Sequence, residues 1–156
     1  MAEQNATDNA PAPPAAALHV VIVTGDRVVY DGMADRVSAP APQGMVTILP
    51  RHAAMLVMLE PGELIVRLGD DEEGYAVGGG FLEVADDHVT VLGDTVERAD
   101  EIDILRAEAA RQRASALVAH YQDRPEYAAG MQALRRSRAR LKVAQRARRR
   151  RAAGSR

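Results

Sequence analysis

Cysteine and tryptophan are both absent from this chain of 156 residues. The first absence excludes disulfide bonds, zinc sites with cysteine ligands and thiol nucleophiles. Aromatic residues make up only 3% of the chain, so it lacks the stacking platforms of proteins that bind single-stranded nucleic acid. No apolar run approaches the ~18 residues of a membrane-spanning helix, and no basic segment followed by an apolar core marks a signal peptide. We therefore expect no transmembrane segment.

Patterns of catalytic and metal-binding residues are missing as well. The four histidines show neither HxH nor HxxxH spacing, so structural or solvated roles explain them better than a metal site. The glycines at positions 78–80 are not followed by Lys-Ser/Thr, and a sheet bulge explains them better than a phosphate loop. We expect no catalytic residue and no metal, and the chain is predicted not to be an enzyme by itself.

Charge divides the chain into two unlike parts. Residues 1–100 carry 17 acidic and 5 basic side chains, a net of −12, whereas residues 101–156 carry 5 acidic and 15 basic, a net of +10. Between Arg135 and Arg151 there are ten arginines or lysines and no acid. Such asymmetry predicts two segments with different roles.

Residues 18–98 are typical of an antiparallel β-sandwich or barrel. Short apolar and β-branched segments alternate with turn signals, among them Asp31-Gly32 and an acidic hairpin loop at residues 69–74. That loop is better explained as a solvated hairpin tip than as a cation site. Residues 1–17 consist of small, polar and proline residues, and we predict a disordered tail there.

Residues 99–145 are predicted to form an antiparallel two-helix hairpin. Asp100 is a candidate N-cap, and Pro125 begins the second helix after a short turn. The apolar faces are narrow and rich in alanine, so each helix needs a partner surface, and a hairpin held so weakly can be displaced. Residues 146–156 are predicted to be a frayed basic tail. The fold class is thus α+β, a sandwich followed by an αα-hairpin.

The order of motifs resembles the epsilon subunit of the rotary F-type ATP synthase over about residues 18–145. The matching segments are LHVVIVTGDRVVYDG (18–32), GMVTILPRHA (44–53), EPG (60–62), GGFLEV (79–84), VTVL (89–92) and IDILRA (102–107). Three positions depart from the family pattern: Thr47 replaces a glycine, Met45 replaces a common acidic residue, and Ala54 replaces the proline usual after His52-Ala53.

The resemblance implies a ten-stranded sandwich and a non-catalytic role in the central stalk. The sandwich is expected to clamp the gamma subunit and rest on the c-ring, coupling proton-driven rotation to ATP synthesis. The hairpin is expected to fold against the sandwich, or to extend toward the alpha and beta catalytic subunits and inhibit ATP hydrolysis. The expected location is peripheral, on the cytoplasmic face of a bacterial plasma membrane.

The resemblance also implies functional residues. No cofactor is required, but some members of the family bind regulatory ATP, which stabilises the folded hairpin. Carried over to this chain, the ATP-binding positions are Glu83, Asp103, Arg106, Arg113, Arg136 and Arg140. Contacts with partner subunits are expected at Met45, His52, Arg135 and Arg138, with the c-ring contact beside Met45.

One alternative function follows from charge alone. The chain could be a small sandwich module whose arginine-rich hairpin docks on nucleic acid or on an anionic membrane. Sequence-specific recognition of nucleic acid is not expected, since neither aromatics nor a reader fold accompany the basic run. The two functions differ in salt response, because phosphate binding weakens steeply with salt whereas a packed apolar surface is not screened.

Overall fold

The computed structural model describes residues 17–122 and 124–154, so positions 1–16 of the predicted N-terminal tail lie outside the described residues. Ten strands are followed by two helices. Their bounds are β1 Leu18–Val23, β2 Val28–Ala34, β3 Arg36–Ala41, β4 Gly44–Ile48, β5 Met55–Leu59, β6 Gly62–Leu68, β7 Asp71–Val77, β8 Gly80–Ala85, β9 His88–Gly93, β10 Val96–Arg98, α1 Ile104–His120 and α2 Glu126–Gly154.

The strands form two five-stranded sheets. Sheet A has the order β2-β1-β9-β8-β5 and sheet B the order β10-β7-β6-β3-β4. Pairing is antiparallel except between β1 and β9. The inward faces of both sheets supply one apolar core, with Leu18, Val20, Ile22, Leu64, Tyr75 and Leu82 among its fully buried members. The predicted α+β fold, a sandwich followed by two helices, is confirmed.

Three local predictions about the strands are corrected. No turn forms at Asp31-Gly32, because β2 continues through it and Asp31 pairs with Val21. The acidic loop shrinks to a turn at Gly69 and Asp70, since the following acids begin β7 and pair with β6. The third concerns Val96–Arg98, where the local pattern predicts no strand and the three residues form β10, because so short a segment has no measurable alternation.

The first helix begins later than predicted. Its N-cap is Asp103, whose carboxylate accepts a hydrogen bond from the backbone N–H of Arg106 at 3.1 Å. Asp100 is not the cap, because its carboxylate lies 3.3 Å from the guanidinium Nε of Arg98. Asp100 and Asp103 both have a carboxylate that can cap a helix. The path of the chain after β10 determines which of the two becomes the N-cap.

The second helix is longer than predicted. α2 continues to Gly154, so residues 146–154 are helical and not a frayed tail. Alanine and arginine favour helix, and Arg146 and Arg150 pair with Glu72 of β7 at 2.8 and 2.6 Å. The helix therefore has a partner surface along this segment. No helix in the described part of the chain is long and apolar enough to cross a membrane.

The helices form a third layer on sheet B. α2 packs against β6 and β7 and runs beside α1. A second, smaller apolar cluster joins this layer to the sheet, formed by Ala76, Ile102, Ala107, Leu141, Val143 and Ala144. The outer face of sheet A, at the opposite side of the sandwich, keeps several large apolar side chains exposed.

Candidate functional site

A cleft lies where α1, α2 and β10 meet, and we call it the α1–α2 cleft. Its volume is about 330 Å³, and its lining includes Glu97, Glu101, Asp103, Arg106, Arg113 and Arg140. Arg106 and Arg113 are seven residues apart on α1 and therefore lie on one side of that helix, while Arg140 enters from α2. The fold thus brings together Asp103, Arg106, Arg113 and Arg140, four of the six residues expected to bind ATP.

The carboxylates of this cleft already have partners. The Nε of Arg140 donates to Oε1 of Glu97 at 2.6 Å. Glu101 accepts from the guanidinium of Arg27 at 3.1 Å, and this hydrogen bond holds the pKa of Glu101 below its ordinary value. The third acid, Asp103, accepts the capping hydrogen bond of α1. Because Glu97 and Glu101 are paired with arginines, they oppose an incoming anion less than free carboxylates would.

Two arginines of the cleft are available to a ligand. Arg106 and Arg113 are exposed, and within the described ranges neither forms an ion pair with a carboxylate. Guanidinium groups donate paired hydrogen bonds to phosphate oxygens. Two such groups on one helix face, with Arg140 opposite them, can hold an anionic ligand of the phosphate class.

Glu83 and Arg136 are not part of this cleft. Glu83 lies in β8 between Leu56 and Thr90 of the neighbouring strands, on the exposed side of sheet A, whereas the helices pack on sheet B. Arg136 lies one turn before Arg140 on α2 and lines a separate cavity beside Gly78 and Asp94. Strand alternation turns Glu83 outward, because its neighbours Leu82 and Val84 occupy the core.

Glu101 and Glu97 line the cleft, although the sequence indicated neither as a site residue. Glu97 is the one that contacts an arginine of α2. It belongs to β10, pairs with Ala76 across the sheet and holds Arg140. Its position six residues before the helix cap Asp103 places it at the mouth of the cleft. Sequence patterns indicate the position of Glu97 only weakly, because only three residues of β10 pair with the sheet.

The outer face of sheet A carries a continuous apolar row, one residue from each strand. Register places Met58 opposite Phe81, Phe81 opposite Leu92, Leu92 beside Val23, and Val23 opposite Val28. Phe81 and Leu92 are 50% and 52% exposed. Exposed apolar patches of this extent mark interaction surfaces in soluble proteins, so the apolar row is a candidate docking surface.

The expected partner-contact residues occupy three separate places. Met45 is exposed on β4 and lines a groove of about 500 Å³ between β4 and β5, with Met55 and Met58. His52 is half-buried, and its Nδ1 lies 2.9 Å from the carbonyl oxygen of Ala53.

The two arginines of that set lie on α2 and differ in their contacts. Arg135 donates to Glu60 at 2.5 Å, which ties α2 to the loop between β5 and β6. Arg138 is exposed. Only Met45 therefore belongs to an apolar surface that a partner could cover, and the other three predictions depend on polar contacts.

Two family models together match residues 17–145. The first, described as "ATP synthase, Delta/Epsilon chain, beta-sandwich domain", matches residues 17–99. The second, described as "ATP synthase, Delta/Epsilon chain, long alpha-helix domain", matches residues 100–145. The division between them coincides with the end of the sandwich and the approach to α1.

Several known proteins resemble the chain over most of its length. The ATP synthase epsilon chain of Chloroflexus aggregans is 45% identical over 128 residues, 82% of this chain and 92% of that protein. The epsilon chain of Acidithiobacillus ferridurans is 46% identical over 131 residues, 84% of this chain and 93% of that one.

One solved structure shares the fold. It is a chain in the OSCP, F1 and c-ring assembly of the Euglena gracilis mitochondrial ATP synthase, with a TM-score of 0.73 and 21% identity. The match covers 93% of this chain and 90% of that chain. The likeness therefore extends across both the sandwich and the helices.

Proposed function

The chain belongs to the delta/epsilon chain family of the F-type ATP synthase, and from this premise we propose that it works in the central stalk as a rotor subunit. The family is that of a non-catalytic subunit of the complex. The observation that carries the proposal is the apolar row, which spans all five strands on the outer face of sheet A.

The apolar row is proposed to dock on the gamma subunit. Burial of apolar surface stabilises a contact between two proteins by about 25 cal/mol per Å² and needs no directional bond. A five-stranded sheet presents its apolar surface as a rigid unit. A rotor subunit needs this rigidity, because a part that deforms under load does not transmit torque. The groove beside Met45 lies at the sandwich edge and is proposed to face the c-ring.

The two helices are proposed to act as a regulatory brake on ATP hydrolysis. Their attachment to sheet B combines a small apolar cluster with ion pairs, so the hairpin can leave the sheet at modest cost and reach the alpha and beta subunits. The α1–α2 cleft is proposed to bind regulatory ATP through Arg106, Arg113 and Arg140, which would favour the folded hairpin.

The proposed location is the cytoplasmic face of a bacterial plasma membrane, bound peripherally through the complex. Epsilon chains that resemble this one over most of its length come from bacteria such as Chloroflexus aggregans. The comparisons give no support to the alternative of a nucleic-acid or membrane-docking module.

The test is co-purification of the tagged chain with the gamma subunit from nuclease-treated, detergent-solubilised membranes. Phe81→Asp places a charge in the centre of the apolar row and is expected to weaken gamma binding at least about tenfold, as for a hot-spot residue. Leu105→Asp is the matched control, because Leu105 is 83% exposed on α1.

Thermal melts first establish that both variants fold. Wild-type attachment is expected to survive a wash at moderate salt, since apolar burial is not screened. Equal gamma recovery for the two variants, or retention of nucleic acid or lipid in place of gamma, contradicts the proposal.

A further inference from the structure

Two arginines face each other across neighbouring strands of sheet B. Register pairs Arg36 of β3 directly with Arg67 of β6. Both side chains lie on the outward side of the sheet, since their neighbours Val37 and Val66 are buried in the core. Like charges directly opposite each other in a sheet repel and destabilise the pairing, so this arrangement calls for a compensating negative charge.

One carboxylate neighbours the pair in the sheet, because Glu72 of β7 lies opposite Arg67 on its other side. In the part of the chain that the structure describes, no carboxylate forms an ion pair with Arg36 or Arg67. The Nε of Arg67 donates to the carbonyl oxygen of Gly69 at 3.0 Å. Asp35, beside Arg36 in sequence, accepts instead from the backbone N–H of Gly69 at 2.8 Å.

A third arginine completes a cleft above this pair. The cleft has a volume of about 200 Å³ and is lined by Arg36, Ser38, Ile65, Arg67, Glu72 and Arg146. Its one acid, Glu72, is shared between Arg146 at 2.8 Å and Arg150 at 2.6 Å. The three arginines of the lining outnumber Glu72, and Arg146 also lies 3.5 Å from Oε2 of Glu63 beneath α2.

We propose that this cleft binds a phosphate-like oxyanion. Arg36 and Arg67 would donate from the sheet and Arg146 from α2, with the hydroxyl of Ser38 as a further donor. Guanidinium groups suit a tetrahedral oxyanion because each donates two parallel hydrogen bonds. The volume is below the range of about 300–1,000 Å³ typical of sites for larger ligands, so a single phosphate group fits the cleft and a whole nucleotide does not.

The oxyanion cleft is distinct from the α1–α2 cleft, with which it shares no lining residue. It also does not depend on the proposed function, since it concerns the isolated chain. An anion held there would bridge α2 to sheet B, and so would stabilise the docked position of the helix by ordinary linkage.

The experiment is a titration of the full-length chain with inorganic phosphate, followed by ¹⁵N NMR. Sodium chloride keeps the ionic strength constant. We expect saturable shifts of the backbone amides of Arg36, Arg67 and Arg146. Arg67→Gln is expected to weaken the apparent affinity at least tenfold, whereas the matched control Arg149→Gln, an exposed arginine of α2 that does not line the cleft, should change it less than twofold.

Thermal melts separate binding from a folding defect. Without phosphate, Arg67→Gln should melt at the same temperature as the wild type or higher, because it relieves the repulsion with Arg36. With phosphate, only the wild type and Arg149→Gln should gain stability. Linear shifts that chloride reproduces, or equal gains in Arg67→Gln and the wild type, would overturn the proposal.

A free phosphate and a lipid phosphate share this chemistry, and a second arm distinguishes them. Sedimentation with phosphatidylglycerol vesicles is compared with phosphatidylcholine vesicles for the same three proteins. Binding of phosphate alone identifies free phosphate as the ligand, and binding of anionic vesicles as well identifies a lipid phosphate. Either result supports the oxyanion cleft, provided that Arg67→Gln abolishes the binding. Binding that survives Arg67→Gln in both arms contradicts it.

Discussion

Tyr75 illustrates how a single residue connects the core to the charged surface. It is the largest side chain that the sandwich buries completely, and its hydroxyl donates to Oε2 of Glu73 at 2.6 Å. Burial and this hydrogen bond raise the pKa of Tyr75 well above its ordinary value. The folded protein therefore holds the phenolic proton more tightly than the unfolded chain does.

The first prediction concerns the pH dependence that follows. Because the folded pKa of Tyr75 lies above the unfolded pKa of about 10, its stabilising effect is complete below pH 10 and is lost as pH rises beyond it. Tyr75→Phe should cost about 1 kcal/mol at neutral pH through the lost hydrogen bond. Its free energy of unfolding should then fall less steeply than that of the wild type between pH 9 and 11, as measured by urea denaturation.

Tyr127→Phe provides the control, since Tyr127 is exposed on α2. This variant should retain the wild-type dependence on pH. Parallel curves for Tyr75→Phe and the wild type above pH 10 would show that Tyr75 does not govern the alkaline loss of stability.

At the scale of elements, α2 is held to the sheet by carboxylates beneath it. Glu63 of β6 is buried, with its Oε2 3.2 Å from Nζ of Lys142 and 3.5 Å from the guanidinium of Arg146. Its Oε1 has no partner among the described residues. Glu63 therefore depends on Lys142 and Arg146, and Glu72 depends on Arg146 and Arg150. Arg146 and Arg150 lie beyond the family match.

The element-scale prediction compares two double variants of equal charge. Arg146→Gln with Arg150→Gln removes both pairs to Glu72 and leaves Glu63 with Lys142 alone. It should destabilise the docked helix by about 1–3 kcal/mol, the cost of leaving partly buried polar groups without their charged partners. Arg148→Gln with Arg149→Gln removes two exposed arginines and should have little effect.

Hydrogen exchange of the α2 amides measures the difference. Protection around Val143, which packs against Gly74 of β7, should fall in the first double variant and persist in the second. Identical protection in the two variants would mean that apolar packing alone holds the helix.

At the scale of the whole molecule, the sandwich and the hairpin present separate surfaces, and the proposed function assigns them to separate partners. The apolar row lies on the outer face of sheet A, whereas the α1–α2 cleft and the oxyanion cleft lie where the helices meet sheet B. The arginines that dock α2 on sheet B are the same groups that an acidic partner would attract, so folded and extended hairpins compete for them. A ligand that binds only the folded hairpin shifts this balance by its differential affinity.

The prediction at this scale is that ATP stabilises the folded hairpin. At an ATP concentration about ten times Kd, the gain should be about 1.4 kcal/mol, seen as a higher melting temperature. Arg113→Gln should abolish most of this gain by removing a donor of the α1–α2 cleft. Arg111→Gln is its control, because Arg111 pairs with Glu108 on the same helix at 3.1 Å and lies outside the cleft.

Retention of the full ATP effect by Arg113→Gln would exclude the α1–α2 cleft as the nucleotide site. Loss of the effect in both variants would mean that the overall positive charge of the helices, and not the α1–α2 cleft, is responsible for the stabilisation by ATP.

Much of the fold could be predicted, because its causes are local. Turn residues and β-branched segments located nine of the ten strands, and the seven-residue spacing of Arg106 and Arg113 placed them on one helix face. Glu83 was expected with the other ATP-binding residues but does not line the cleft. No local pattern indicates which side of the sandwich the helices cover. Glu97 was missed for the same reason, since its importance depends on Arg140, 43 residues away in sequence.

The sequence by itself determined the fold class and the charge asymmetry, since composition, turn chemistry and helical propensity act within a few residues of each position. The family followed from the resemblance of its ordered motifs. Only the tertiary structure decided which face of each sheet is covered, that residues 146–154 form helix on Glu72, and that Arg36 meets Arg67. These depend on strand register and on packing between distant segments, where one residue of shift turns every side chain to the other face.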